Sequence, residues 1–181
     1  GMFSSASAFN QDISSWDTGL INDMSYMFES ASSFDQNIGG WNVGSLTDAS
    51  EMFTNVTLSL ENYNALLVGW VAQDVHGGVG FNGGNSQYSI GEPETARSNL
   101  VDTKTWSITD GGLSSRPGAP SALGVVAHNE SVAVSWGAAQ VSSSGGPVLS
   151  YTATALVGGV PVDPAKTCTT PDGSTLTCTV S

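Results

Sequence analysis

Met27-Phe28-Glu29-Ser30-Ala31-Ser32-Ser33-Phe34-Asp35-Gln36-Asn37-Ile38, followed by Trp41, returns piecemeal along the chain at one spacing. Met2-Phe3 stands 25 positions before its start (27 − 2) and Met52-Phe53 stands 25 after it (52 − 27). Phe9, Gln11, Ile13 and Trp16 are the earlier copies of Phe34, Gln36, Ile38 and Trp41, and Asp23 returns as Asp48. Apolar and amide residues kept in phase at such a period are the signature of a repeat architecture, a solenoid. One unit cannot bury its own apolar face, so the units must stack.

Within each unit, Phe9-x-Gln11-x-Ile13 and Phe34-x-Gln36-x-Ile38 alternate with period two, which predicts a short strand with Phe, Gln and Ile on one face. Parallel stacking would put Gln11 over Gln36 in an amide ladder. Parity then turns Asn10 and Asp12 outward in one unit, and Asp35 and Asn37 in the next. These four are the candidate ligand-binding residues, because outward side chains repeated on a rigid surface suit an extended ligand whose weak contacts add. The other half of each unit, Ile21 to Phe28 and Leu46 to Phe53, spaces its apolar residues at i, i+3, i+6 and i+7 and predicts a short helical turn behind the strand. Trp16 and Trp41 fall just past the strand and are expected to pack at the turn.

Residues 1–53 hold the clear repeats, and residues 54–113 read as an atypical closing unit. Ser59 is an N-cap candidate ahead of Tyr63, Leu66, Leu67, Trp70 and Val71, one apolar helix face. Gly77-Gly78 ends that helix. Phe81 to Tyr88 predicts strand and turn, Pro93 opens a second helix to Thr103, and Trp106 to Thr109 predicts a last strand. Residues 114–120, Ser-Ser-Arg-Pro-Gly-Ala-Pro, are linker chemistry. In residues 121–181, Ser131 to Trp136 and Pro147 to Leu156 alternate as strands. Gly158-Gly159 is a hairpin signal, and two short strands flank Pro171-Asp172-Gly173.

Composition narrows the function classes. Acidic residues number 16 against 4 basic ones, a net charge of −12, and residues 1–96 contain neither Lys nor Arg. No basic surface meets phosphates there, which argues against nucleic acid and against anionic membranes. No run is long and apolar enough to span a bilayer. Asp12, Asp17, Asp23, Asp35 and Asp48 are read as turn and cap residues, with a cation site the sharper alternative. The chain has no Gly-x-Ser-x-Gly elbow, no paired carboxylates placed for acid–base work, and no metal-ligand spacing around His76 or His128. No catalytic residue, metal or cofactor is therefore expected. Cys168 and Cys178 lie outside any CxxC context, and a disulfide across a hairpin is expected, two free thiols being the alternative.

Residues 2–113 resemble the BspA-like bacterial surface proteins with leucine-rich-like repeats of about 25 residues. The resemblance rests on the Met27–Ile38 stretch with Trp41-Asn42-Val43 and its copies. It rests also on a closing unit with Tyr63 to Trp70, Gly83 to Tyr88, Ala96-Arg97 and Trp106 to Gly112. The chain departs from the pattern at Ala49 and at Glu51, where Met24 and Tyr26 stood, and Glu51 is expected to face solvent. Residues 117–181 resemble the front of a fibronectin type III domain, through Pro117 to Pro120, Val132 to Trp136 and Pro147 to Tyr151. The Cys168–Cys178 pair resembles one found in secreted bacterial versions. The last two strands of such a domain are missing, so a fragment of a longer secreted protein is expected.

The fold class implied is an α+β leucine-rich-repeat-like solenoid, with short parallel strands and short helices, plus an all-β immunoglobulin-like sandwich fragment. The resemblance implies an extracellular, secreted or cell-surface interaction protein rather than an enzyme. Adhesion to an extracellular protein or glycan is the function expected. The alternatives are a non-catalytic accessory region of a secreted polysaccharide-degrading enzyme, and a structural stalk.

Overall fold

The structure, a computed structural model, describes residues 1–117, 120–129, 131–141, 148–157, 160–161 and 166–180. The chain forms two compact units, Gly1–Ser114 and Ser115–Ser181.

In the first unit the backbone pairs neighbouring repeats at the predicted offset, but in the other half of the repeat. Asp23 bridges Asp48 in parallel. Strand β1 (Asp48–Ala49) pairs with β2 (Gly80–Asn82), and β2 with β3 (Ser107–Thr109), all parallel. From Met24 to Ser30 every second N–H donates forward to the next repeat: Met24 to Asp48 O (2.8 Å), Tyr26 to Ser50 O (3.1 Å), Phe28 to Met52 O (2.9 Å) and Ser30 to Thr54 O (2.8 Å). Phe3 and Ser5 do the same toward Met27 O and Glu29 O, at 2.8 and 2.7 Å. Left-handed residues make this one-way pattern possible. Ser5, Ser30 and Asn55 recur at φ 64, 58 and 63°, and Tyr26 and Glu51 at 55 and 56°. The N–H groups in between bond within the repeat, Met27 to Met24 O at 3.2 Å and Glu29 to Tyr26 O at 3.3 Å.

Four expectations are corrected. The segment Ile21 to Phe28 is not helical: Asp23 is a β-bridge, and the turn that follows, closed by Met27 N–H to Met24 O at 3.2 Å, contains the left-handed Tyr26. The Phe-x-Gln-x-Ile segments form no strand and carry no backbone ladder. Gln11 and Gln36 form no amide ladder: Gln11 is exposed, and Gln36 Nε2 donates to Asn10 O (3.1 Å) and Asn10 Oδ1 (2.8 Å). Glu51, expected to face solvent, is half-buried, and its Oε2 accepts from Thr54 Oγ1 and Asn82 Nδ2.

The core is a ladder of aromatic rings. Phe3, Phe28 and Phe53 stack with centroids 5.5 and 5.4 Å apart, Phe9 lies 5.9 Å from Phe34, and Trp16 lies 6.4 Å from Trp41. Ile13, Phe34, Ile38 and Trp41 are buried and Phe9 is half-buried. Helix α1 (Leu60–Val71) buries Tyr63, Leu66, Leu67 and Trp70, and Ser59 caps it by accepting from the Asn62 N–H. The helix comes so close to the preceding repeat that a Cβ on Gly69 would strike the Gly39 carbonyl, and one on Gly39 the Ala65 carbonyl. Helix α2 (Glu92–Ser98) is shorter than expected; a π-helical turn, Asn99–Thr103, continues it and buries Leu100.

The second unit is built from antiparallel strands. β4 (Ser121–His128) and β5 (Ser131–Gly137) form a hairpin, and β10 (Thr177–Val180) adds to β5. β6 (Thr152–Thr154) pairs with β9 (Thr167–Thr169), and β7 (Leu156–Val157) with β8 (Val160–Pro161). Of the run expected from Pro147 to Leu156, Pro147 lies outside the described residues, Val148 to Tyr151 form no strand, and Ala155 separates β6 from β7. The Gly158-Gly159 turn also lies outside them. Trp136, Tyr151 and Val180 are the buried hydrophobics described in this unit, and the Trp136 and Tyr151 rings lie 5.3 Å apart. Cys168 and Cys178 form a disulfide with Cα atoms 6.0 Å apart. It does not cross a hairpin: β9 and β10 belong to different sheets, so the bridge joins the sheets.

Candidate functional site

Each repeat turns at three corners, and each corner holds an Asp or Asn that accepts from the N–H two residues on. Asp12 takes Ser14 (2.9 Å), Asp17 takes Gly19 (3.2 Å) and Asp23 takes Ser25 (2.8 Å). One repeat later Asn37 takes Gly39 (3.0 Å), Asn42 takes Gly44 (3.0 Å) and Asp48 takes Ser50 (2.8 Å). These are Asx turns, in which the side chain mimics a turn's backbone carbonyl. The Ser14 and Ser25 donors favour the ionised acids and hold the Asp12 and Asp23 carboxyls below the usual range.

The four candidate ligand residues lie on one lateral strip beside Gln11 and Gln36. Asn10, Asp12 and Asn37 are exposed and Asp35 is half-buried. The strip is tied across repeats by its own side chains. Asn10 Oδ1 accepts from the Asp35 N–H at 2.9 Å. Asp35 Oδ1 in turn accepts from Ser59 N (2.8 Å), Ser59 Oγ (2.9 Å) and Asn62 Nδ2 (2.8 Å), which anchors the start of α1. Asp12 and Asn37 each hold a corner through one oxygen and present their remaining polar atoms to solvent.

Sequence reasoning missed a polar cluster in the closing repeat. Asp110, with only 2% of its side chain exposed, accepts from Arg97 Nε (2.7 Å), Tyr63 Oη (2.7 Å) and the Gly112 N–H (3.1 Å). The Arg97 guanidinium lies 5.2 Å over the Tyr88 ring. Burial, and then the Asp110 charge, push the Tyr63 phenol up, so it stays a donor at every physiological pH. The signal was present in the sequence: Arg97 is the first basic residue of the chain. The cluster joins α1, α2 and the chain beyond β3. The other Lys or Arg of this unit, Lys104, meets Asp74 at 3.2 Å.

In the second unit an open groove of about 520 Å³ runs between the sheets, lined by Leu123, Val125, Val134, Trp136, Tyr151 and Val180 among others. Among the described residues no three His, Cys, Asp or Glu side chains are gathered to hold a metal ion. No described helix is long and apolar enough to cross a membrane.

No curated protein and no solved structure matches the chain. Residues 1–79 of the 181 match a family model described as a Mycoplasma protein of unknown function, DUF285, and over that stretch, the clear repeats through α1, the chain is similar to that family.

Proposed function

We propose that the chain is a non-catalytic binding region of an extracellular protein, secreted or cell-surface attached. In this reading residues 1–113 form a leucine-rich-repeat-like solenoid that engages an extracellular protein or glycan. Residues 121–181 form an immunoglobulin-like sandwich fragment of fibronectin type III kind. The observation that carries the proposal is the lateral strip of Asn10, Gln11, Asp12, Asp35, Gln36 and Asn37. Its amide and carboxylate groups recur at an offset of 25 (35 − 10) on a backbone whose repeats are bonded to one another. An extended ligand meets the same chemistry in each repeat, so weak contacts add. The Cys168–Cys178 disulfide supports an oxidising compartment. The carboxylates are committed to turns and staples rather than paired across a cleft, which favours binding over acid–base chemistry.

The test is a glycan and matrix-protein array probed with the chain and with a Gln11→Ala, Asp12→Asn double variant. Asn at position 12 retains the oxygen that caps Ser14. Binding of a polymeric ligand, weakened at least tenfold in the variant at unchanged thermal midpoint, is expected. No binding by the parent chain overturns the proposal in favour of a stalk. Binding confined to soluble plant or microbial polysaccharides shifts it to an enzyme's accessory region.

A further inference from the structure

We propose that Thr54 and Asn82 form an ester cross-link without an external enzyme, with Glu51 as general base, tying the clear repeats to the closing unit. The groups such a reaction needs converge at this junction. Thr54 Oγ1 donates to Glu51 Oε2 at 2.5 Å. Asn82 Nδ2 donates to Thr54 Oγ1 at 2.9 Å and to the same Glu51 oxygen at 3.3 Å. The amide oxygen, Asn82 Oδ1, accepts from the Gly84 N–H at 2.8 Å. That N–H is held in place: Gly84 lies at φ 65°, and a Cβ there would strike the Phe53 and Val56 carbonyls. The Phe53 N–H donates to Asn82 O at 3.0 Å and clamps the two segments together. Glu51, Thr54 and Asn82 are half-buried, and their chain neighbours Met52, Phe53, Phe81 and Gly83 are buried.

The reaction is an acyl transfer. The amide turns its face to the hydroxyl, Glu51 takes the hydroxyl proton, and Thr54 Oγ1 bonds to Asn82 Cγ. The Gly84 N–H holds the charge that develops on Oδ1. Glu51 then returns its proton to Nδ2, the Cγ–Nδ2 bond breaks, and one ammonia leaves. Nothing is oxidised or reduced, and no co-reactant is needed. One Glu51 oxygen touches both the proton donor and the leaving nitrogen, so it serves both transfers. The sequence supplies this set at one junction. A repeat earlier the same positions hold Tyr26 and Glu29 (51 − 25, 54 − 25), and Ser4 Oγ donates to Glu29 Oε2 at 3.0 Å with no amide in the set. Asn64 and Ser89 are the converse: Nδ2 donates to Ser89 Oγ at 2.8 Å and Oδ1 accepts from the Ser89 N–H at 2.9 Å, but no described carboxylate bonds to either side chain. That pair has no base and stays unlinked. Residues 1–114 contain no cysteine, so the ester is a covalent tie open to a unit without thiols.

The experiment is peptide mass spectrometry on the purified full chain after incubation at neutral pH. Chymotryptic cleavage after Phe53, Leu58, Phe81 and Tyr88 leaves Thr54 and Asn82 in separate short peptides. The two are expected to run as one species, lighter than their sum by one ammonia, that hydroxylamine separates. Thr54→Val is expected to abolish the joined species and Thr54→Ser to keep it. Glu51→Gln is expected to slow its formation at least about tenfold, the loss of a general base. The parent chain decides by itself whether the bond forms, however well the variants fold. Separate peptides of full mass overturn the proposal. So does ammonia loss confined to the Asn82 peptide, which would be an imide closed with Gly83. Joining at the parent rate in Glu51→Gln, or joining of Asn64 to Ser89 to the same extent, also overturns it, since neither leaves a task for the carboxylate.

Discussion

The Trp41 indole binds the repeats together through a single atom. Its ring is fully buried, and Nε1 satisfies the Ile13 carbonyl of the repeat before. Trp106 Nε1 makes a like contact with His76 O at 2.7 Å. Trp41→Phe keeps one aromatic ring in the stack, strands that carbonyl and leaves a gap where the pyrrole ring lay, so a loss of at least about 1–3 kcal/mol is expected in urea unfolding. A variant within error of the parent would show that the carbonyl finds water and that stacking alone holds the site. The repeat phase announced that Trp16 and Trp41 pack in register. It was silent about the N–H crossing to a neighbour, since periodicity records which way a side chain faces and not what its polar atom meets. Trp70 shows the gap well. Its helical spacing marked it as a core residue, yet it performs the Trp41 task 29 positions on (70 − 41).

Among the elements, α1 was legible from Ser59 to Trp70 because cap and apolar face agree. The parallel pairing was legible in sense and offset but not in place, since the segment that alternates carries no ladder and the one that carries it has helical spacing. Phe9 to Ile13 reads as a strand by side-chain period, but its contacts to the next repeat pass through Asn10 Oδ1 instead. The left-handed residues Tyr26 and Ser30, types with no preference for that conformation, gave no warning of the one-way ladder. The closing elements depend on Asp110, which holds α1 and α2 through Tyr63 and Arg97. Asp110→Ala leaves a partly buried guanidinium and a buried phenol without their acceptor. A loss of about 3 kcal/mol is expected in chemical denaturation, at the low end for a broken buried pair because Arg97 reaches solvent. A loss under about 1 kcal/mol would mean that water replaces the carboxylate.

For the whole molecule, the two units differ in how they are held. Residues 1–114 share one continuous buried cluster, whereas the second unit rests on Trp136, Tyr151, Val180 and a disulfide that ties its two larger sheets. The bridge closes a separation of 10 residues and contributes somewhat under about 3 kcal/mol in the chain-entropy model, a large share for so thin a core. Reduction with a dithiol is expected to expose the amides of β5, β6, β9 and β10 to hydrogen exchange while those of residues 24–54 keep their protection. Equal protection before and after reduction would show that the sheets hold without the bridge. The one-way ladder has a mechanical consequence as well. Hydrogen bonds that all join one repeat to the next lie along the stacking direction, so a pull on that axis loads them end-on and in series. Such a stack gives way at its weakest junction and sheds repeats one after another, each freeing roughly 80–90 Å of chain. Under tension the repeats would lengthen in even steps, as a spring that yields coil by coil rather than a rod that snaps.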